Sequence, residues 1–320
     1  MDWRIKGIVQ KLLSAAPGGA RVNSALQRLL GDLRDFEREV RSKTLDDWVP
    51  LVRLARSCGP SPVGLRMVEV GTGWFPTLPL CFHLAGASSC TTFDLDRHLN
   101  PSLLLRLLHA LGPHVPAIAA AAGCDPAVVS ARLSRLGGLK SPSDVLLACA
   151  IDYRAPADAT RTGLAADSVD VVYSNSVLEH VPAQVLDSLM RESFRVLRPG
   201  GLALHSVNCG DHYAYFDRSI TPINYLRYSE RAWRWWNNRL QFQNRLRASD
   251  FLTSAERAGL ELVETRWRAR PELVEALESM RVAPEFAHYP REQLACTSID
   301  FAARKPRRGP ATHRRVRPPL

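Results

Sequence analysis

The sequence predicts an α/β fold in which a mostly parallel sheet of seven strands carries helices on both faces. Three observations support this. Short β-branched runs alternate with stretches of helical periodicity between residues 61 and 305. The apolar run Met67–Val70 is followed at once by Gly71 and Gly73, as in a turn that leaves the carboxyl end of a buried strand. A second run, Cys90–Asp96, ends in carboxylates about 20 residues later, where a ribose-binding acid is expected.

The strands follow in chain order from the same signals. The third precedes the loop at Asp158, and the fourth is the apolar run that ends at Asn175. The fifth follows the turn Arg198-Pro199-Gly200-Gly201, whose job is structural. The predicted strands lie near 66–71, 90–95, 151–155, 169–175, 201–207, 260–267 and 295–304.

Three additions surround this sheet domain of residues 61–305. Residues 1–60 form a helical N-terminal extension, residues 97–150 and 209–247 are insertions, and residues 306–320 form a basic tail without apolar periodicity, expected to be disordered. In the extension, Ile5, Ile8, Val9, Leu12 and Leu13 share one helix face, and a second periodic stretch runs from Val22 to Leu33. We expect the first face to pack on the sheet domain; the alternative is peripheral contact of residues 1–13 with an anionic membrane.

The amino-acid composition limits the functions and partners to be expected of this protein. The net charge of +10 over 320 residues would raise nucleic acid as a partner, but seven basic residues between Arg304 and Arg317 carry most of it. Without them the charge is +10 − 7 = +3, so nucleic acid is not the expected partner. Seven cysteines lack any Cys-x-x-Cys pair, and the N-terminus lacks a signal-peptide region. No apolar run approaches a membrane span. We therefore expect a cytoplasmic protein without a metal site.

Four motifs in a fixed order closely resemble the class I S-adenosylmethionine-dependent methyltransferases. They are Glu69-Val70-Gly71-Thr72-Gly73, Asp94-Leu95-Asp96, Asp158-Ala159, and the stretch from Ser174 to Val181 that contains Glu179-His180. The resemblance covers residues 64–208 well and 248–305 in outline. It implies a Rossmann-like fold whose last strand is antiparallel, and S-adenosylmethionine as the cofactor. Where the family often has a third glycine, this chain has Phe75-Pro76.

The same resemblance assigns the cofactor contacts. It places Asp94 on the ribose hydroxyls, in preference to Asp96, which we interpret as a cap of the following helix. Asp158 would accept from the adenine amino group beside Ala159, and Ser174 and Asn175 would face the sulfonium. The remaining contacts, on the methionine side, are Glu69, Gly71, Thr72 and Gly73.

The acceptor side is predicted in residues 209–247, which leave the fifth strand at its carboxyl end. His212 is a candidate general base, and His180 a second candidate for a direct role; each has the alternative of a packed or surface histidine. Trp233, Trp235 and Trp236 either stack on an acceptor or pack a lid. The nature of the acceptor is left to elimination among the chemistries that the motifs allow.

The elimination favours O-methylation of a small metabolite or a saccharide-type acceptor. Ser174-Asn175-Ser176-Val177 is not the Asn/Asp-Pro-Pro-aromatic sequence of adenine-amino enzymes, and no Pro-Cys dipeptide offers a cytosine nucleophile. A nucleotide-binding oxidoreductase is an alternative, but Pro76 stands where its third glycine is expected. The other alternative is a non-catalytic protein that binds the cofactor.

Overall fold

The computed structural model of the protein describes residues 2–16, 35–59 and 61–307. All seven predicted strands are present within these residues. They are β1 Arg66–Val70, β2 Ser89–Phe93, β3 Ile151–Arg154, β4 Val169–Asn175, β5 Leu197–Asn208, β6 Glu261–Ala269 and β7 Cys296–Arg304. The stretch Val22–Leu33 and the tail from residue 308 onward lie outside the described residues.

The strands form one sheet in the order β3-β2-β1-β4-β5-β7-β6. Neighbours from β3 to β5 pair in parallel, and β7 pairs antiparallel with both β5 and β6. The predicted α/β class and the antiparallel last strand are therefore confirmed. The described helices are α1 Trp3–Ala15, α2 Phe36–Ser42, α3 Val49–Cys58, α4 Thr77–Leu84, α5 Pro101–Leu111, α6 Val115–Ala122, α7 Pro126–Gly137, α8 Pro142–Ala148, α9 Ala183–Val196, α10 Glu230–Trp233, α11 Ala248–Arg257, α12 Pro271–Ser279 and α13 Arg291–Leu294.

Both faces of the sheet are buried, as a parallel sheet requires. Alternation along β1 sends Met67 into one core cluster, with Trp48, and Val68 into the other, with Phe251. The helices from α2 to α8 contribute to the first cluster, and α9 and α11 contribute to the second. The sheet thus forms the middle layer of a three-layer core.

Helix α1 packs on the insertion 209–247 through a face other than the predicted one. Trp3 is buried against Tyr213 and Trp236, with ring centroids 5.2 and 4.8 Å away. The Trp3 backbone N–H donates to Asp217 Oδ2 at 3.0 Å. The expectation that the apolar stripe would pack is wrong for its main residues, because the helix is anchored instead by the Trp3 ring within a cluster of aromatic side chains. The exposed stripe is Ile5, Ile8, Val9 and Leu12.

The stretch Pro101–Ala122 corrects the expectation about membrane spans. An 18-residue window within its 22 residues reaches a mean hydropathy of 1.3, so length and composition alone would let this stretch cross a bilayer. Leu104, Leu111 and Ile118 are nevertheless fully buried in the first core cluster. The stretch is apolar because it lies under the other helices of the 97–150 insertion.

Arg247 joins the insertion to the sheet. Its side chain is fully buried, and its guanidinium donates to the carbonyls of Cys209 and Cys296 and to the Tyr225 hydroxyl. Cys209 follows β5 and Cys296 begins β7, so one side chain holds two strand ends and the insertion together. A planar guanidinium with several fixed donors suits this role better than an ammonium.

We expect Arg247→Met to lower the free energy of unfolding by about 3 kcal/mol, because buried carbonyls that lose a charged donor cost about 1–3 kcal/mol each. Urea unfolding followed by circular dichroism measures the change. The exposed Arg239→Met is the matched control and should shift stability by less than about 0.5 kcal/mol. Equal stabilities of the two variants would contradict the role assigned to Arg247.

Candidate functional site

The turn after β1 forms one wall of the site. Gly71 and Gly73 both have left-handed φ angles, +81° and +72°. A Cβ on Gly71 would collide with Val177 Cγ2, whereas a Cβ on Gly73 would meet nothing within 4 Å. Gly71 therefore serves close packing between two loops, and Gly73 leaves open space in which a ligand can approach the backbone.

Asp94, at the carboxyl end of β2, lies against this turn. Its Oδ2 accepts from the Gly73 N–H at 3.0 Å, and burial raises its pKa to about 6. Asp96 is exposed, and the following helix is capped instead by Asn100, whose side chain accepts from the Ser102 N–H at 3.1 Å. The interpretation of Asp96 as a helix cap is therefore wrong, and Asp94 is the carboxylate that meets the glycine turn.

Glu69 and Thr72 are both buried beside Asp94. Burial raises the pKa of Glu69 to about 8, and the Thr72 hydroxyl partly offsets the rise. Burial thus disfavours ionisation more strongly at Glu69 than at Asp94, whose pKa is raised only to about 6, so Asp94 is the more readily ionised carboxyl group on this wall. The predicted placement of Glu69, Gly71, Thr72 and Gly73 along one turn holds in the structure, while their contacts to a cofactor remain a prediction.

The end of β4 differs from the expectation at Ser174. Its hydroxyl is fully buried and hydrogen-bonded to His205 Nδ1 at 2.7 Å, so this side chain does not reach the open edge of the sheet. Asn175 does, and its amide faces Asp47, whose pKa is raised to about 6 by burial. Asp47 is a site residue that the sequence reasoning missed.

Asp47 reaches the site from the N-terminal extension. It lies on Lys43–Trp48, a π-helical stretch between α2 and α3. Such bulged turns are frequent at functional sites because they redirect side chains. The only sequence signal was an acidic pair, Asp46-Asp47, followed by the buried Trp48 and Val49.

Asp158 and Ala159 lie in the loop after β3. Asp158 is exposed and its Oδ1 accepts from the Thr160 N–H at 2.8 Å, while Ala159 borders the second core cluster. The Ala157 N–H donates to the Asp94 carbonyl at 2.8 Å, so this loop adjoins the ribose candidate. The adenine role of Asp158 stays a prediction.

The two candidate histidines meet on the other side of the site. Their rings lie 5.1 Å apart between centroids, and His180 Nδ1 pairs with the Phe242 carbonyl at 2.6 Å. Burial, with His180 and Lys6 nearby, lowers the pKa of His212 to about 3. His212 is therefore neutral at neutral pH, and its low pKa makes it a weak proton acceptor; its role as general base stays a prediction.

The insertion 209–247 holds this arrangement in place. Asn244 donates from its backbone to the Glu179 carbonyl at 2.8 Å and from its side chain to the carbonyls of Leu178 and Val181. Trp233 is buried and Trp236 packs on Trp3, which confirms the packing interpretation for these two rings. Trp235 is exposed.

A cavity of about 340 Å³ opens where β4 and β5 end. Five of its lining residues carry hydroxyls and one an amide, and the lining also holds one aspartate and one arginine. The lining residues are Ser176, Ser206, Val207, Asn208, Gly210, Asp211, Ala214, Tyr215, Pro222, Arg270, Thr297 and Ser298. Tyr215 also stacks on His212 at 5.6 Å, so the cavity and the histidine pair share a wall.

Comparison with known proteins gives one family match. The sequence profile described as a methyltransferase domain matches residues 36–265, well over half of the chain. The comparison with curated proteins gave no significant match.

Solved structures with a similar fold are distant in sequence. A putative methyltransferase from Bacillus halodurans shares 18% identity over 80% of this chain and 98% of its own, with a TM-score of 0.42. An S-adenosylmethionine-dependent methyltransferase from Mesorhizobium loti shares 18% sequence identity over 81% of this chain and 99% of its own, with a TM-score of 0.42. A geranyl diphosphate C-methyltransferase from Streptomyces coelicolor shares 12% sequence identity over 85% of this chain and 83% of its own, with a TM-score of 0.45. These similarities are too distant to bear on the substrate.

Gly71→Ala and Gly73→Ala form a matched pair, because both positions carry the strain of a left-handed φ. We expect Gly73→Ala to lower the free energy of unfolding by about 1–2 kcal/mol, and Gly71→Ala by at least about 1 kcal/mol more because of the collision with Val177. Urea titrations give both values. Equal losses would show that the collision is relieved at no cost.

Asp94→Ala should weaken binding of S-adenosylhomocysteine more than tenfold, because a charged hydrogen bond contributes about 1.5–3 kcal/mol. Asp96→Ala, the exposed neighbour, should leave the calorimetric affinity unchanged. The reverse pattern would assign the ribose to Asp96.

The raised pKa of Asp94 adds a pH dependence of this affinity. The carboxylate is ionised above about pH 6 and protonated below it, so affinity should fall as the pH drops through about 6. Asp94→Asn, which cannot ionise, should have an affinity that is flat over the same range. A wild-type affinity equal at pH 5 and pH 7.5, by calorimetry, would contradict the assignment of this carboxylate.

Proposed function

This chain belongs to the class I S-adenosylmethionine-dependent methyltransferases, and on that premise we propose that it methylates a hydroxyl oxygen of a small, sugar-like metabolite. The observation that carries the acceptor proposal is the cavity at the ends of β4 and β5 with its hydroxyl and amide lining. Because parallel strands end at the same edge of a sheet, we place this cavity on the edge that also carries the glycine turn after β1.

The residues at the turn fit the cofactor. Gly73 leaves its Cβ position empty, and the half-buried Asp94 keeps its other carboxylate oxygen, Oδ1, for a ribose hydroxyl. The Ala157–Asp94 hydrogen bond brings the loop of Asp158 to the same edge, as adenine binding requires. Asp94, Gly73 and Asp158 would therefore hold the nucleoside side, and Glu69 and Thr72 the methionine side.

When bound, S-adenosylmethionine supplies the methyl carbon, to which the acceptor oxygen bonds as the carbon–sulfur bond breaks and its electron pair moves to sulfur. The hydroxyl proton leaves to water. The task of the protein is mostly positioning, since holding donor and acceptor in line contributes much of the rate. Asn175 and the turn Leu178–His180 stand at the end of β4, where the two ligands would meet.

The lining of the cavity supports a hydroxylated acceptor. Ser176, Asn208 and Thr297 offer neutral donors and acceptors, which pair with sugar hydroxyls without the desolvation cost of charged groups. Tyr215 exposes 66% of its surface and presents a ring on which a sugar face can stack. Arg270 is the basic side chain of the lining.

The two alternative functions that the sequence left open, an oxidoreductase and a non-catalytic cofactor-binding protein, can be distinguished from methyl transfer. The family match opposes an oxidoreductase, in agreement with Pro76 in place of the third glycine. A cofactor-binding protein without activity would bind S-adenosylhomocysteine and transfer nothing. We also propose a cytoplasmic location, which the seven free cysteines, six of them buried, support.

Incubation of the protein with labelled S-adenosylmethionine and a panel of sugars, amines and isoprenyl diphosphates tests the proposal. We expect label on a hydroxyl oxygen of a sugar-like compound, with the mass of one methylene added, and no binding of NAD by calorimetry. Label only on nitrogen or carbon would overturn the acceptor class.

Tyr215→Ala should raise the acceptor KM about tenfold, because stacking on an aromatic ring contributes about 1 kcal/mol or more. Its effect on cofactor affinity should be small. Trp235→Ala is the control of similar exposure, 68% against 66%, outside the cavity lining.

A further inference from the structure

We propose that Glu179, His180 and His212 bind one divalent first-row transition-metal ion, such as Zn²⁺ or Mn²⁺, beside the acceptor cavity. The geometry is close to that of a site. Each residue offers one ligand atom, and these atoms all lie within 4.8 Å of one another. Ligand atoms bound tetrahedrally at about 2.1 Å lie about 3.4 Å from one another, so the side chains would move closer by up to about 1.4 Å on binding the ion.

An ordinary packing role does not explain why the carboxyl group of Glu179 is buried. Its side chain is 1% exposed, and neither carboxylate oxygen makes a hydrogen bond of normal geometry within the described part of the chain. The backbone N–H groups of Glu179 and Asn208 face it and only partly offset the cost of its burial. A buried carboxyl group without partners costs free energy, and a bound cation removes that cost.

The ring of His180 is held as the rings of metal-binding histidines usually are, and His212 is held through its backbone. The Phe242 carbonyl occupies Nδ1 of His180 at 2.6 Å, which fixes the tautomer with Nε2 unprotonated. The backbone of His212 is fixed by its N–H, which donates to Gln243 Oε1 at 3.3 Å. His212 Nε2 is buried without a hydrogen-bonding partner among the described residues.

One short segment therefore orients both histidines. Residues 242 and 243 contact His180 and His212 respectively, and Asn244 binds the Glu179 carbonyl. This supporting shell is built from a segment distant in sequence from both ligand loops. Such outer-shell contacts are the usual means of holding metal ligands in orientation.

The charges around the cluster favour a cation at Glu179 and oppose it weakly at His212. Asp47 adds a second carboxylate near Glu179, and Lys6 lies near His212. Two imidazoles and one carboxylate select a transition-metal ion over Mg²⁺ or Ca²⁺, which prefer oxygen ligands. Three protein ligands leave coordination positions for water or a substrate.

The open positions connect the ion to the proposed reaction, and this step rests on the proposed function. Tyr215 stacks on His212 and lines the acceptor cavity, so an acceptor hydroxyl in the cavity lies next to the cluster. A metal-bound hydroxyl loses its proton to water more readily, as metal-bound water does. The resulting oxyanion is the stronger nucleophile toward the methyl carbon.

The experiment uses the full-length protein stripped with a chelator and dialysed. Calorimetry with Zn²⁺, and the visible spectrum with Co²⁺, should show one ion per chain. Glu179→Gln, His180→Gln and His212→Gln should each weaken binding about tenfold or more, while S-adenosylhomocysteine affinity stays unchanged. His109→Gln, an exposed histidine on α5, is the control and should bind as the wild type does.

Each outcome decides a separate point. Folded wild-type protein that binds no ion, or ligand variants that bind as tightly as His109→Gln, would overturn the site; circular dichroism checks folding. Binding with methyl transfer that is equal in stripped and loaded protein would overturn the catalytic role. Binding through these residues with no methyl transfer to any acceptor would retain the site and overturn the proposed function.

Discussion

The register of the parallel strands is the constraint on which the site depends. Val70 lies opposite both Phe93 of β2 and Ser174 of β4, so the three strands end at one level. The next residues along the chain, Gly71, Asp94 and Asn175, therefore meet at one edge although they are far apart in sequence. A shift of one residue in either pairing would turn Asp94 or Asn175 to the opposite face.

Along this edge, the cofactor side depends on the sheet and the acceptor side on the insertion. The Gly73 N–H donates to the Asp94 side chain and the Gly71 N–H donates to the Phe93 carbonyl, so the glycine turn is tied to the end of β2. His212 and His180 meet because residues 242–244 hold their two loops together. Arg247 continues this segment into the core, so the acceptor wall is rigid where it joins the sheet and open at the cavity.

The sequence predicted what local patterns determine. Every strand was found because strand ends and glycine turns leave short-range signals, whereas the antiparallel last strand and the preference for Asp94 over Asp96 came from the family resemblance. Ser174 was misplaced because its hydroxyl is hydrogen-bonded to His205 on the neighbouring strand β5. The alternation of side chains along a strand does not reveal such a contact. Asp47 was missed because a π-helical stretch redirects it, and the pairing of His180 with His212 depends on a third segment.

The contact of Trp3 with the insertion has a consequence for biosynthesis. The Trp3–Asp217 hydrogen bond closes a loop of 214 positions, so the first helix leaves the ribosome long before its partner exists. Contacts of such sequence separation form late, because the closure entropy must be offset by structure already in place. The N-terminus thus joins the acceptor side late, and an affinity tag placed there would perturb the acceptor wall rather than nascent sheet formation.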